Sequence, residues 1–184
     1  MASRILRKVE WTASEENPKP DVSFMPMMVR RRLSQVEKAA MHVAWKIFNS
    51  PDAASGMEAL PPPDRVPVVF ASRWGEIGTT LKLMRQMHDE GEMSPAAFSS
   101  SVHNAAPGAW SLFTGNKTPY TSIAAREKTY EMGLLEAEAQ LASGASDAVL
   151  FVYAEEATPQ YYQSQFDCPE VYRAVALLLA SSGE

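Results

Sequence analysis

The chain has 184 residues, 46% of them hydrophobic and 21% charged, with a formal net charge of -5. That length suits one domain with one substantial core, and the balance is that of a globular chain rather than a disordered one. The acidic excess argues against a broad nucleic-acid surface, which needs clustered Lys and Arg to neutralise phosphates.

Residues 1–29 read as an irregular lead-in. The part from 11 to 29 is rich in Pro, Ser, Glu and Asn, and its Phe24, Met25, Met27 and Met28 either cover local core or form an adaptable methionine-rich contact surface. A helix is expected from near Leu33, with Val36, Ala40, Val43, Ala44 and Ile47 on one stripe. Ser34 is its cap, with Glu37 as the capping-box partner, and Asn49, Ser50 and Pro51 end it. Residues 51–67 form a Gly- and Pro-rich connection stiffened by Pro61, Pro62 and Pro63. Val66–Ala71 is a continuous apolar run of the kind buried on both faces of a sheet. The turn Ser72-Arg73-Trp74-Gly75 then leads into a helical pattern over Ile77–Met87.

A polar turn over His88–Met93 leads to Ser94, Pro95 and a less regular serine-rich segment holding His103 and Asn104. A helix over Ala105–Phe113 follows, kinked at Pro107. After a loop at Thr114–Pro119 come a strand at Tyr120–Ala124 and a helix over Arg126–Leu141. Ser143–Ser146 break that helix, and a central strand at Ala148–Tyr153 ends in Glu155 and Glu156. The tail, Val171–Leu179, reads as an amphipathic element, with Val175–Ala180 as part of a helix. The period alternates between 2 and 3.6 residues, which favours an α/β fold over a helical bundle.

No apolar run approaches the roughly 20 residues needed to cross a bilayer. The N-terminus has no apolar leader core, so a cytoplasmic location is expected. Cys168 is the only cysteine, which excludes an internal disulfide and any cysteine-cluster metal site. No helix start or cation adjoins it in sequence to stabilise a thiolate, so it is badly placed as a nucleophile.

The three histidines, His42, His88 and His103, have no metal-ligand spacing, and no cofactor motif is present. His103, with Asn104 and nearby serines, is either a structural histidine or a catalytic one. Arg73, Trp74 and Glu76 follow a strand end, where α/β folds build pockets. Arg30, Arg31 and Arg32 are either a solvated face or a grip for an acidic partner, since guanidinium forks suit bidentate pairing.

Several blocks carry a family resemblance. Asn104, Gly108, Gly115 and Pro119, then Gly144-Ala-Ser-Asp147 before an apolar strand, resemble the N-terminal half of β-ketoacyl synthases. Phe70–Glu76, Met93–Phe98, Ser101–Asn104 and Leu134–Ala137 are similar to a family of short β-ketoacyl synthase-like N-terminal domains, over about residues 28–180. The resemblance implies a thiolase-like α/β fold with a mixed sheet and packed helices. The family's opening strand is not evident, and Trp11 is its only trace. The same register places Glu127, between Ala125-Arg126 and Lys128-Thr129, where the family's catalytic cysteine stands. A full synthase continues into a second half, which supplies two active-site histidines and a lysine; His103 is not one of them.

The resemblance implies a non-condensing accessory or partner subunit of a type II polyketide-like or fatty-acid-like pathway, aryl polyene systems included. The partners expected are a condensing enzyme, an acyl carrier protein or further copies in an oligomer. Chain-length-factor subunits, in which the cysteine is also replaced, are the precedent. The competing reading is a small acyl-thioester hydrolase or decarboxylase using Glu127, His103 and Asn104, with Glu127 as a general base.

Overall fold

The computed structural model describes residues 3–50, 60–164, 166 and 168–182. Five strands form one mixed sheet in the order β1 (Ser3–Thr12), β5 (Arg173–Ser181), β4 (Ala148–Glu155), β2 (Val68–Ala71), β3 (Tyr120–Ile123). Strands β2, β3 and β4 run parallel, while β5 is antiparallel to both β4 and β1.

The central strands are buried on both sides, which explains their unbroken apolar sequences. Leu150, Val152 and Ala154 face one layer; Val149 and Phe151 face the other. The first layer holds α2 (Gln35–Asn49) and α5 (Ala105–Thr114), and the second holds α6 (Thr129–Ala142). Helix α6 approaches the sheet so closely that a Cβ at Gly133 would come within 2.7 Å of both Ala71 and Phe151.

The cap of α2 forms as its sequence requires. Ser34 Oγ accepts the Glu37 amide at 3.0 Å, and Glu37 Oε2 accepts the Ser34 amide at 2.6 Å. Pro107 falls in the first turn of α5, where an amide proton has no intrahelical acceptor, so the helix needs no kink to hold it. Phe24 stacks on Trp45 at 4.7 Å and Met25 is buried, whereas Met27 and Met28, on the one-turn helix α1 (Met27–Arg30), are exposed.

Four expectations need correction. Residues 3–12 are not irregular but form β1, an edge strand with Trp11 buried next to its end. Its charges, Arg4, Arg7, Lys8 and Glu10, and a register shift between Ile5 and Arg7 hide the period of two. The tail is strand β5, not a helix. Its leucines favour a helix in isolation, but pairing on both edges between β1 and β4 overrides that preference. The turn after residue 87 starts later, because α3 (Ile77–Glu90) runs on to Gly91, which closes it at φ 74°. The serine-rich segment also contains α4 (Pro95–Ser99), capped by Ser94 Oγ. Pro51 and the first half of the proline-rich connection lie outside the described residues.

Candidate functional site

The C-terminal ends of β2, β3 and β4 gather three loops at one rim of the sheet, the usual position of a site in such folds. The Ser72–Gly75 loop leaves β2 and is organised from beneath by Glu155, the last residue of β4. The Glu155 carboxylate is fully buried. It accepts Ser72 Oγ–H at 3.2 Å and the Trp74 amide at 3.3 Å, together with the Arg73 amide. Burial pushes its pKa up, against the pull of these donors and of Arg173. Ser72 Oγ in turn accepts the Gly75 amide at 2.8 Å. Gly75 sits at φ 53°, and a Cβ there would lie 3.1 Å from His103 Cδ2.

His103 is half-buried, with its ring edge-on to Phe70, and Nε2–H donates to the Ser72 carbonyl at 2.7 Å. It therefore fixes the β2 loop from the side. Asn104 caps α5 through its backbone alone.

The loop after β3 makes a sharp turn into α6. Arg126, at φ 52°, is the only described non-glycine residue with positive φ. Such a conformation costs on the order of 1–3 kcal/mol. Thr129 holds the turn: its Oγ1 donates to the Arg126 carbonyl at 2.6 Å and accepts the Ala125 amide at 2.9 Å. Glu127 follows at the rim, its side chain 67% exposed, and pairs at 2.9 Å with Arg73, whose guanidinium also lies 5.1 Å above the Trp74 ring.

Two open clefts border this ion pair. One, of about 410 Å³, runs past Trp74, Ala124, Ala125 and Phe166. The other, of about 340 Å³, is lined by Arg126, Tyr153, Cys168 and Arg173. Neither includes His103, and the two residues touch the β2 loop at different points, Glu127 through the Arg73 guanidinium and His103 through the Ser72 carbonyl. Cys168 lines this cleft together with three arginines, Arg73, Arg126 and Arg173, and three glutamates, Glu127, Glu155 and Glu170.

Glu76 does not belong to the pocket with Arg73 and Trp74. It is buried and turned to the N-terminus of α2, where it accepts Ser34 Oγ–H at 2.6 Å. Glu37 and Glu156 are buried close by, and Glu156 Oε1 accepts the Gly78 amide at 2.6 Å. The Ser34–Glu76 bond places the Arg30–Arg32 run at this same rim; Arg31 and Arg32 are exposed and Arg30 is half-buried. Sequence reasoning gave no role to Glu37 beyond its cap, nor to Glu155 and Glu156. The one available signal was two adjacent carboxylates closing an otherwise apolar strand. Among the described residues, no group of three or more His, Cys, Asp or Glu is arranged to hold a metal ion, and no helix is long and apolar enough to cross a membrane.

The profile of the family described as "Beta-ketoacyl synthase, N-terminal domain" matches residues 6–184, and the chain belongs to that family. No curated protein matches it. Among solved structures it is similar to the ketosynthase (ApeO) in complex with its chain length factor (ApeC) from Xenorhabdus doucetiae. The TM-score is 0.78 at 24% identity, over 99% of this chain and 80% of that one. It is also similar to the ishigamide ketosynthase/chain length factor, at TM-score 0.72 and 16% identity over 85% of this chain and 46% of that one. A third similar structure is a type II polyketide synthase acyl-carrier protein in complex with its ketosynthase bound to the hexaketide (TM-score 0.63, 15% identity, 88% and 51% covered). The chain thus spans four fifths of the Xenorhabdus chain and about half of the other two. The fold is thiolase-like, as the sequence resemblance implies.

Proposed function

We propose that this member of the β-ketoacyl synthase N-terminal domain family is a non-condensing partner subunit of a cytoplasmic type II polyketide-like or fatty-acid-like pathway, aryl polyene synthesis included. The observation that carries the reading is the turn after β3. It keeps a positive-φ bend at a strand-to-helix junction, yet presents Arg126 and Glu127 there instead of a thiol. A carboxylate cannot form the thioester that carries an acyl chain through condensation. Glu127 is also largely exposed to solvent and paired with Arg73 at 2.9 Å, rather than enclosed in a buried pocket as a general base would be. The absence of His103 from both clefts that Glu127 lines weakens the hydrolase or decarboxylase reading, which needs the two groups to converge. The similar structures named as ketosynthase with chain length factor, or ketosynthase with acyl-carrier protein, support a role in assembly.

The surface suited to an acidic partner is Arg30–Arg32, flanked by the exposed Met27 and Met28. The test is the native mass of the tagged protein purified gently from its own cells, with co-purifying chains identified. The expected result is a stoichiometric complex with a condensing enzyme or an acyl carrier protein, weakened by charge reversal at Arg30–Arg32. A monomer or clean homo-oligomer would sink the obligate-partner reading.

A further inference from the structure

Helices α3 and α4 form an arm that the core barely holds. Over its 14 residues α3 buries only Leu83, and α4 buries nothing. Met84, Met87 and Phe98 are exposed along it. An isolated helix of this length is marginal in water, so the arm depends on how its root is fastened. That fastening is polar. The Gly78 amide donates to Glu156, and Glu76, the residue before α3, accepts the hydroxyl of Ser34, which itself caps α2. Thr79 Oγ1 lies 3.4 Å from the other Glu76 oxygen.

We propose that Glu76 is a protonation latch: as the neutral acid it seals the root of the α3–α4 arm against the α2 cap, and its ionisation releases the arm. This stands apart from the partner-subunit reading. The groups facing Glu76 come from each element packed around it. Glu37 faces it from α2, Glu156 from the end of β4 and Tyr172 from the segment before β5. The nearby cations act elsewhere, Lys82 on Glu156 and Lys38 on Glu37. An ionised Glu76 therefore has two buried carboxylates for neighbours, whereas a neutral one keeps the Ser34 bond without that repulsion.

Burial first, then Glu37 and Glu156, push the Glu76 pKa up to about 8, against the pull of the Ser34 and Thr79 hydroxyls. With the arm open, Glu76 meets water and returns to its ordinary value of 4.5. Because the closed form holds the proton more tightly, latch strength is greatest below the ordinary value and is lost as pH rises toward the raised one. The opening constant should climb about tenfold per pH unit between roughly pH 5 and pH 8, then level off.

Amide hydrogen exchange on the full chain, corrected for intrinsic rates, tests this from pH 5.5 to 9. The expected result is that α3 amides are less protected than those of β4 and insensitive to low urea. Their protection should fall about tenfold per unit up to pH 8, and E76Q should flatten that slope. A flat wild-type profile, or a slope in E76Q as steep as that of the wild type, would overturn the latch; Glu156, also raised by burial, keeps any remainder. So would α3 protection that equals that of β4 and shares its urea dependence, because the arm would then open only with the whole fold. Should E76Q fail to fold, the wild-type pH and urea profiles decide alone.

Discussion

The turn after β3 and the loop after β2 lie at one rim of the sheet and are built in opposite ways. The first presents Glu127 to solvent through a single ion pair, a kind of contact that contributes about 0–1 kcal/mol. The second rests on Glu155, fully buried and receiving three donors from Ser72, Arg73 and Trp74. His103 adds a further hydrogen bond to that loop from α5's entry. The buried polar groups therefore position the β2 loop, and through Arg73 they position the partner of Glu127. The turn after β3 carries no buried polar side chain except Thr129, which holds the backbone bend. The difference is that buried polar contacts set one loop, whereas a backbone bend and one exposed ion pair set the other, and the proposed partner role rests on that contrast.

The sharpest way to break that contrast is at its buried end. Glu155→Ala removes the common acceptor and leaves a hydroxyl and two amides without a partner, at about 1–3 kcal/mol for each group left unsatisfied in the interior. Urea unfolding should show a loss of about 3 kcal/mol or more. A loss under about 1 kcal/mol would mean that water replaces Glu155 freely and that the loop is not organised from beneath. At the exposed end, Glu127→Gln should change unfolding stability by less than about 1 kcal/mol. A larger loss would place Glu127 among the structural carboxylates and erase the distinction between the two loops.

Much of this rim was legible from local sequence. The Ser34–Glu37 box and the strand-turn-helix around Ser72–Gly75 rest on neighbours a few residues apart, whereas Glu127 was singled out by the family resemblance. The roles of Glu76 and Glu155 were not legible, because what matters for them is far along the chain. Ser34 reaches Glu76 across 42 positions, and Ser72 reaches Glu155 across 83. A glutamate reads as a solvated charge until the fold surrounds it with donors. Strands β1 and β5 were hidden for a related reason. The edge charges of β1 mask its alternation, and the leucines of β5 become a strand only through pairing with β1 and β4. The charged residues that share a cleft with Cys168 likewise arrive from distant parts of the chain.

The most direct test of a partner subunit without a condensing centre is the intact mass of the purified protein after incubation with a stoichiometric acyl-pantetheine thioester at neutral pH. The expected result is an unchanged mass, since the turn after β3 carries no thiol to take the acyl group as a thioester. A stoichiometric acyl adduct, mapped to Cys168 or to the Arg126–Glu127 turn, would contradict the assignment and make the chain an acyl-transfer enzyme.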